Sequence, residues 1–543
     1  MEQGERDWTT AARGWALAMT AHPSVTSSKG EIDFAPWLAA RLEDRFAFAT
    51  AKSIWTGEVA PGDPRRYVAM LLRGRGRRTV ILTGHFDTVS ETDYGELKTL
   101  AFCPLELRSA LLGKLASSAS TPAERRALVD LQSGDFLPGR GLLDMKAGLA
   151  AGLAAAEAVL RAGGFRGNVL FLAVPDEENA SIGARAVARD LGPIAEENDL
   201  DIIAAINLDS IADDTDGRHG RVIATGTIGK LLPTAFIVGV PAHSGFPLNG
   251  LNAAAIAASI ASELEWAPEL TDGSVPDGGT PPSLLSLRDG KEAYDVTTPQ
   301  TAFLALNVLL RTSTPAQVTE AFEILCRRGC DRAVERLKAN IERLSASVDL
   351  PPIQLHRFAV VKSAALAARP AFAGELAALV DAVSSAGLPL PEQGRRVADA
   401  VWQASGLSAP VVVLGFGSIP YVPTALSHSP EGRRLAASAR RVAEAASARH
   451  GSIVSCTDYF AGISDLSFFG EADRSTLDAV AANTPMWRDD WSPGPRYRGI
   501  PSINMGPWGR DYHTPLERLH CGYAFEVLPG MLIDLLRDLC ASE

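Results

Sequence analysis

TVILTGHFDTVS, residues 79–90, is the stretch on which the reading of this 543-residue chain turns. Its first part, residues 79–83, is an apolar, largely β-branched run that suits a strand buried on both faces. Hydrophobicity stops at Gly84, and His85 and Asp87 follow two positions apart. The pair either closes an ordinary turn or opens a metal site, and the choice depends on what the rest of the chain places beside it.

Outward from this stretch, strand-like runs alternate with Ala/Leu-rich helical ones: TVILTGH, MKAGLAAGLAAAEAVLRAG, NVLFLAVPDEE, IGARAVARDL and DIIAAINLDS. That alternation predicts an α/β fold with a mostly parallel sheet and helices on both faces. Near Arg221 it pauses. Strands are then expected at RVIATGT, LLPTAFIVGV, PSLLSLRD, TAFLALNVLLRT and near IQLHRFAV, with one helix at LNAAAIAASIASELEW and a long one from Pro315. This reads as an inserted α+β layer of ferredoxin-like type with two helices on one face. The expected division is a catalytic domain over 1–221 and 363–543, interrupted by a smaller domain over 222–362.

Composition narrows the function classes. The formal charge of −12 comes from 52 basic and 64 acidic residues spread along the chain, which leaves no basic footprint for nucleic acid. No uncharged apolar run is long enough to span a membrane, and the first residues read as an amphipathic helix with no basic n-region. Six scattered cysteines suit a reducing, cytoplasmic setting; Cys326 and Cys330, one helical turn apart, read as structural thiols.

In an open α/β sheet, functional side chains gather at the carboxyl ends of the strands. His85 and Asp87 stand there after one strand, Asp176, Glu177 and Glu178 after a second, and Asp209 after a third. Asp144 and Lys146 lie in GRGLLDMKAG before a helix, and His513 follows another strand in GPWGRDYHTPLE. Taken singly, each has an ordinary reading: a lone Asp caps a helix, and three acids in a row favour a helix N-terminus. Two histidines and four or five carboxylates at the ends of different strands point elsewhere, to mixed His/Asp/Glu ligation of zinc with a carboxylate shared between two ions. Neither G-x-S-x-G nor a nucleophilic cysteine context appears.

GHFDTV (84–89), GRGLLDMKAGLAA (139–151), DEENASIGA (176–184), NLDS (207–210) and DYHTPLE (511–517) together resemble, in order, the M20 family of zinc-dependent peptidases and amidohydrolases. The resemblance implies a zinc-exopeptidase-like fold with a lid and dimerisation insert, and two zinc ions per chain, with Co2+ or Mn2+ as alternatives. It implies His85, Asp144 and Asp209 as ligands of one ion and Asp144, Glu178 and His513 as ligands of the other. Asp87 would accept the second ring N–H of His85, and Glu177 would be the general base. His243, in GVPAHSGFP, matches the family's lid histidine, which steadies the oxyanion in a partner subunit; its alternative is a turn histidine. Arg311 is a candidate for binding a substrate carboxylate, or else an exposed strand-end arginine.

The implied activity is hydrolysis of an amide in a small peptide or N-acyl amino acid, by a homodimer joined through the lid. Aminoacylase or deacetylase action and a non-catalytic amino-acid or peptide binder on the same fold are the alternatives. A long segment at 91–138, with GISDLSFFG at 462–470, resembles the arginine-utilisation (RocB-like) branch of the family. Within it, Ser464–Asp465 either lines the site or caps a helix, and the cap is the preferred reading.

Overall fold

The computed structural model describes residues 2–274, 279–426, 429–460, 462–472, 477–491 and 499–541. It divides into two compact units, one of Met1–Thr227, Thr424–Ala472 and Ser492–Glu543, the other of Ile228–Pro423 and Asp473–Trp491.

Among the described residues, the first unit carries an eight-stranded sheet. Its parallel centre consists of Asn168–Val174, Arg78–His85, Asp201–Asn207 and Ser502–Asn504, side by side in that order. Antiparallel Arg66–Arg73 and Lys52–Glu58 extend one side. Every residue of Asn168–Val174 is buried, as the unbroken apolar run requires of a strand covered on both faces. His85 pairs with Val174, and Thr83 with Asn207, so three strands stop nearly level and their following loops share one edge.

The helix Ala147–Arg161 is buried over most of its length because its sequence is nearly all Ala, Gly and Leu. Small residues let it press on the sheet. A Cβ on Gly148 would stand 1.9 Å from the carbonyl oxygen of Leu208, so only glycine fits where the chain runs from Asp144 past the approach to Asp209. The 91–138 segment folds into two helices, Pro104–Ser118 and Pro122–Ser133. The second is marked in sequence by Thr121-Pro-Ala-Glu124, a reciprocal capping box with proline in the first turn, and ends at Gly134 with φ +86°.

Among the described residues, the second unit carries a six-stranded sheet with the helices Ala253–Leu264 and Pro315–Arg343 packed on it and on each other. Its extent corrects the expected boundaries of 222 and 362. Val222–Ala224 pairs with Ser455–Thr457 and Ser502–Asn504 and belongs to the first unit. Val411–Phe416, inside the 363–543 stretch expected to be catalytic, pairs along its length with Pro233–Val238 and lies parallel to Gln354–Arg357. An apolar run carries no record of which strand it will pair with, and here long-range hydrogen bonds moved the boundary to Pro423.

Candidate metal centre

Six side chains from five loops of the first unit meet at the carboxyl edge of its parallel strands. His85 ends its strand, and its Nε2 lies 3.2 Å from one carboxylate oxygen of Asp144 and 3.8 Å from Glu177 and from Asp209. The other oxygen of Asp144 lies 3.0 Å from Nε2 of His513, which is 3.1 Å from Glu178. Two groups able to hold a metal follow, His85–Asp144–Asp209 and Asp144–Glu178–His513, each with ligand atoms within 4.8 Å of one another. His85, Glu177 and Glu178 form a third such group.

The three consecutive acids have three different surroundings. Asp176 (φ +71°) is buried, pairs with Arg65 at 2.5 Å and accepts the Ile182 N–H, which fixes the turn into the next helix. That turn leaves Glu177 and Glu178 half-buried at the cluster.

Asp87 departs from its expected contact. Nδ1 of His85 is 3.0 Å from the backbone carbonyl of Asp87 and 3.5 Å from its carboxylate, so the carbonyl is the nearer acceptor for the ring N–H. The carboxylate accepts instead the backbone N–H groups of Glu177 at 3.1 Å and Glu178 at 3.3 Å, and the Thr26 hydroxyl at 2.9 Å. The tautomer of His85 is set with Nε2 free to face the cluster, but by main chain.

The electrostatics show a site short of positive charge. Burial pushes Glu177 well above its ordinary range and raises Glu178 and Asp209. Burial works against charge on the histidines too, yet Asp144, Asp209 and Asp87 drive His85 up, and Asp144 and Glu178 bring His513 up to about 10. Against burial, His513 and His85 hold Asp144 below its usual value. Oxygen and imidazole donors in this number fit divalent ions of the zinc, cobalt or manganese type. A cavity of about 1020 Å³ elsewhere in this unit, lined by Trp8, Trp15, Arg41 and Arg45 among others, contains none of these residues.

Residues 122–483 match Peptidase family M20/M25/M40. The chain belongs to that family. It is therefore a hydrolase acting on C–N bonds, a peptidase or amidohydrolase. It is 31% identical to YqjN of Bacillus subtilis, over 97% of this chain and 96% of that one, and 29% identical to RocB of the same organism, over 88% and 86%. A tripeptidase from Staphylococcus aureus shares the fold, with a TM-score of 0.53 at 14% identity over 98% of this chain and 99% of the other.

Around the cluster, this M20 chain adds supports that single motifs did not announce. Glu517, of DYHTPLE, is fully buried and accepts from Arg140 Nη1 at 2.7 Å and from the Gly141 N–H at 3.1 Å, which joins the loop of His513 to the loop of Asp144. Lys146 is also buried; desolvation lowers its pKa to about 7, and its Nζ donates to the carbonyl of His22. The Ser464 hydroxyl accepts the Leu466 N–H at 3.2 Å and the Asn207 amide at 3.1 Å, while the N-cap position of the helix Leu466–Phe469 is Asp465, which makes no side-chain capping bond. Asp465 does something else. It is 2% exposed, one of its oxygens has no hydrogen-bond partner among the described residues, and burial pushes it up to about 7. Its charge is felt by Glu177, so the M20 site contains one more carboxylate than the sequence motifs delivered.

His243 and Arg311 lie in the second unit. His243 is exposed, and its Nδ1 accepts the Gly245 N–H at 3.0 Å, which leaves Nε2 as the ring donor. Arg311 is half-buried just past the strand Thr301–Leu310, and its backbone N–H donates to Asp272.

Proposed function

We propose that the chain hydrolyses the amide bond of a small peptide or N-acyl amino acid at a pair of divalent ions, zinc being the first choice. His85, Asp144 and Asp209 would hold one ion, Asp144, Glu178 and His513 the other. The observation that carries this reading is Asp144, whose two oxygens face two different histidines at 3.2 and 3.0 Å, the arrangement a bridging carboxylate needs.

Ions held there would supply an acidified water and polarisation of the scissile carbonyl. Glu177, outside both ligand sets, would accept a proton from the attacking water at its carboxylate and return it to the departing nitrogen. Asp87 aims Glu177 by holding its backbone N–H. His85 keeps Nε2 towards the cluster because its other ring nitrogen is engaged by the Asp87 carbonyl. Nε2–H of His243 donates to the developing oxyanion from the second unit of a partner copy, which makes the working form a homodimer. Arg311 pairs with the substrate carboxylate through its planar fork. The setting is cytoplasmic.

The test is Glu177→Gln. The variant should retain two ions per chain and lose about 10²–10⁴-fold in turnover. Loss of an ion from this variant would mean that Glu177 and Glu178 have exchanged roles. A product-detected panel of dipeptides, tripeptides and N-acyl amino acids then separates peptidase from aminoacylase or deacetylase action, including release of arginine from its conjugates.

A further inference from the structure

The 91–138 segment is tied to the loop that carries His513. Its helices enclose a small apolar cluster of Tyr94, Leu107, Leu111, Leu115, Ala127 and Leu131, against which Leu516 is packed. The stronger tie is ionic. Asp130, on the helix Pro122–Ser133 and nearly buried, accepts from Arg510 Nη1 at 2.7 Å on both oxygens. It also accepts from Arg518 Nε at 2.8 Å and Nη2 at 2.6 Å.

Those two arginines face each other across an antiparallel pair formed by Trp508–Arg510 and Arg518–His520. The loop between them contains His513. One carboxylate therefore grips both stems of the loop. One turn earlier on the same helix, Arg126 Nη2 donates to Asp511 at 3.1 Å, and Asp511 also accepts from Arg518 Nη1 at 2.6 Å. The loop needs such restraint. Asp511 and His513 have φ of +51° and +60°, left-handed conformations that residues with a Cβ rarely adopt and that persist where the surroundings over-determine them. His513 itself is 42% exposed, so core packing does not fix its ring.

We infer that the 91–138 segment is a clamp on this metal-binding loop, and that Asp130 and Arg126 are positioning residues setting the affinity of the ion shared by Asp144, Glu178 and His513. The inference rests on the two-ion reading above. It bears most on one ion of the pair: His85 ends a central strand, and of the other ion's own ligands only Asp209 neighbours the hairpin, through Ile211–Ala212, which pairs with Trp508–Gly509 at its base.

The experiment is a Co2+ titration of metal-stripped protein, followed by visible absorption, with bound metal counted by mass spectrometry. Wild type should take up two ions in two resolvable steps. Asp130→Asn should bind one ion as wild type does and the second about 10–100-fold more weakly, and Asp130→Glu should recover part of the loss. Two ions bound with wild-type affinity by Asp130→Asn would overturn the clamp, as would equal weakening of both steps. Fewer than two ions on wild type would overturn the two-ion reading itself, and the clamp with it. Should Asp130→Asn not fold, Arg126→Gln removes the contacts of a partly exposed side chain to Asp511 and to the backbone carbonyl of Asp214. Its second ion should be weakened several-fold while the first is unchanged, and unaltered binding of both would overturn the inference.

Discussion

The carboxylate of Asp87 accepts the backbone N–H of Glu177 at 3.1 Å, so a residue two positions beyond a histidine ligand candidate holds the main chain of the candidate base. Asp87→Asn keeps the backbone carbonyl that faces His85 but replaces one of the two oxygens that hold residues 177 and 178 with an N–H2 group. Metal content should stay near two ions per chain, while kcat falls by about 10–100-fold with KM little changed. Metal analysis beside steady-state kinetics checks this, and loss of metal before loss of kcat would return Asp87 to the role of ligand support.

Removal of metal should cost both activity and stability. Without ions, the carboxylates of Glu177, Glu178 and Asp209 stand together where desolvation already disfavours their charge. Chelator should abolish turnover and lower the thermal midpoint. Readdition of Zn2+ at about 1,000 times its Kd should restore roughly 4 kcal/mol, measurable by calorimetry.

His243→Ala should leave the metal content and the thermal midpoint unchanged, because the ring is exposed and its hydrogen bond with the Gly245 N–H is local. If Nε2–H meets the oxyanion, kcat should fall about 10²–10³-fold. A dimerisation assay run alongside separates loss of the donor from loss of the partner copy.

Asp272 supplies a pH dependence away from the metal centre. Burial opposes its charge, but the N–H groups of Ser313, Arg311 and Thr312 and the Thr312 hydroxyl outweigh it and hold the carboxyl down at about 2, against 3.8 for the free group. In that window the unfolded chain binds more protons than the folded one. Stability from this contact is therefore complete above pH 3.8 and lost as pH falls towards 2. Asp272→Asn should flatten that slope and lower stability at neutral pH by about 1 kcal/mol, the half-exposed position limiting the effect. Denaturant unfolding at several pH values reads both.

Much of the site was legible because its signals are local. A strand that stops at Gly84, a His and an Asp just after it, and acids just past two further apolar runs all mark one sheet edge before any pairing is known. The surroundings of those residues were less so. Nothing in DTV says that the Asp87 side chain will reach the N–H groups of residues 177 and 178, ninety positions away. Asp465 reads as a cap because Ser-Asp before an apolar turn usually is one, and its burial beside Glu177 exists only in three dimensions.

The sequence by itself determined the α/β class, the parallel central strands and the identity of the residues at their ends, since side-chain period and chain-terminating turns are properties of a few consecutive residues. Tertiary structure alone decided where the second unit ends, which group meets each ring nitrogen of His85, and that Asp130 grips the hairpin of His513. The reason is that a run such as Val411–Phe416 or an acid such as Asp130 has many acceptable partners. The choice among them is made by hydrogen-bond geometry and burial summed over the whole fold.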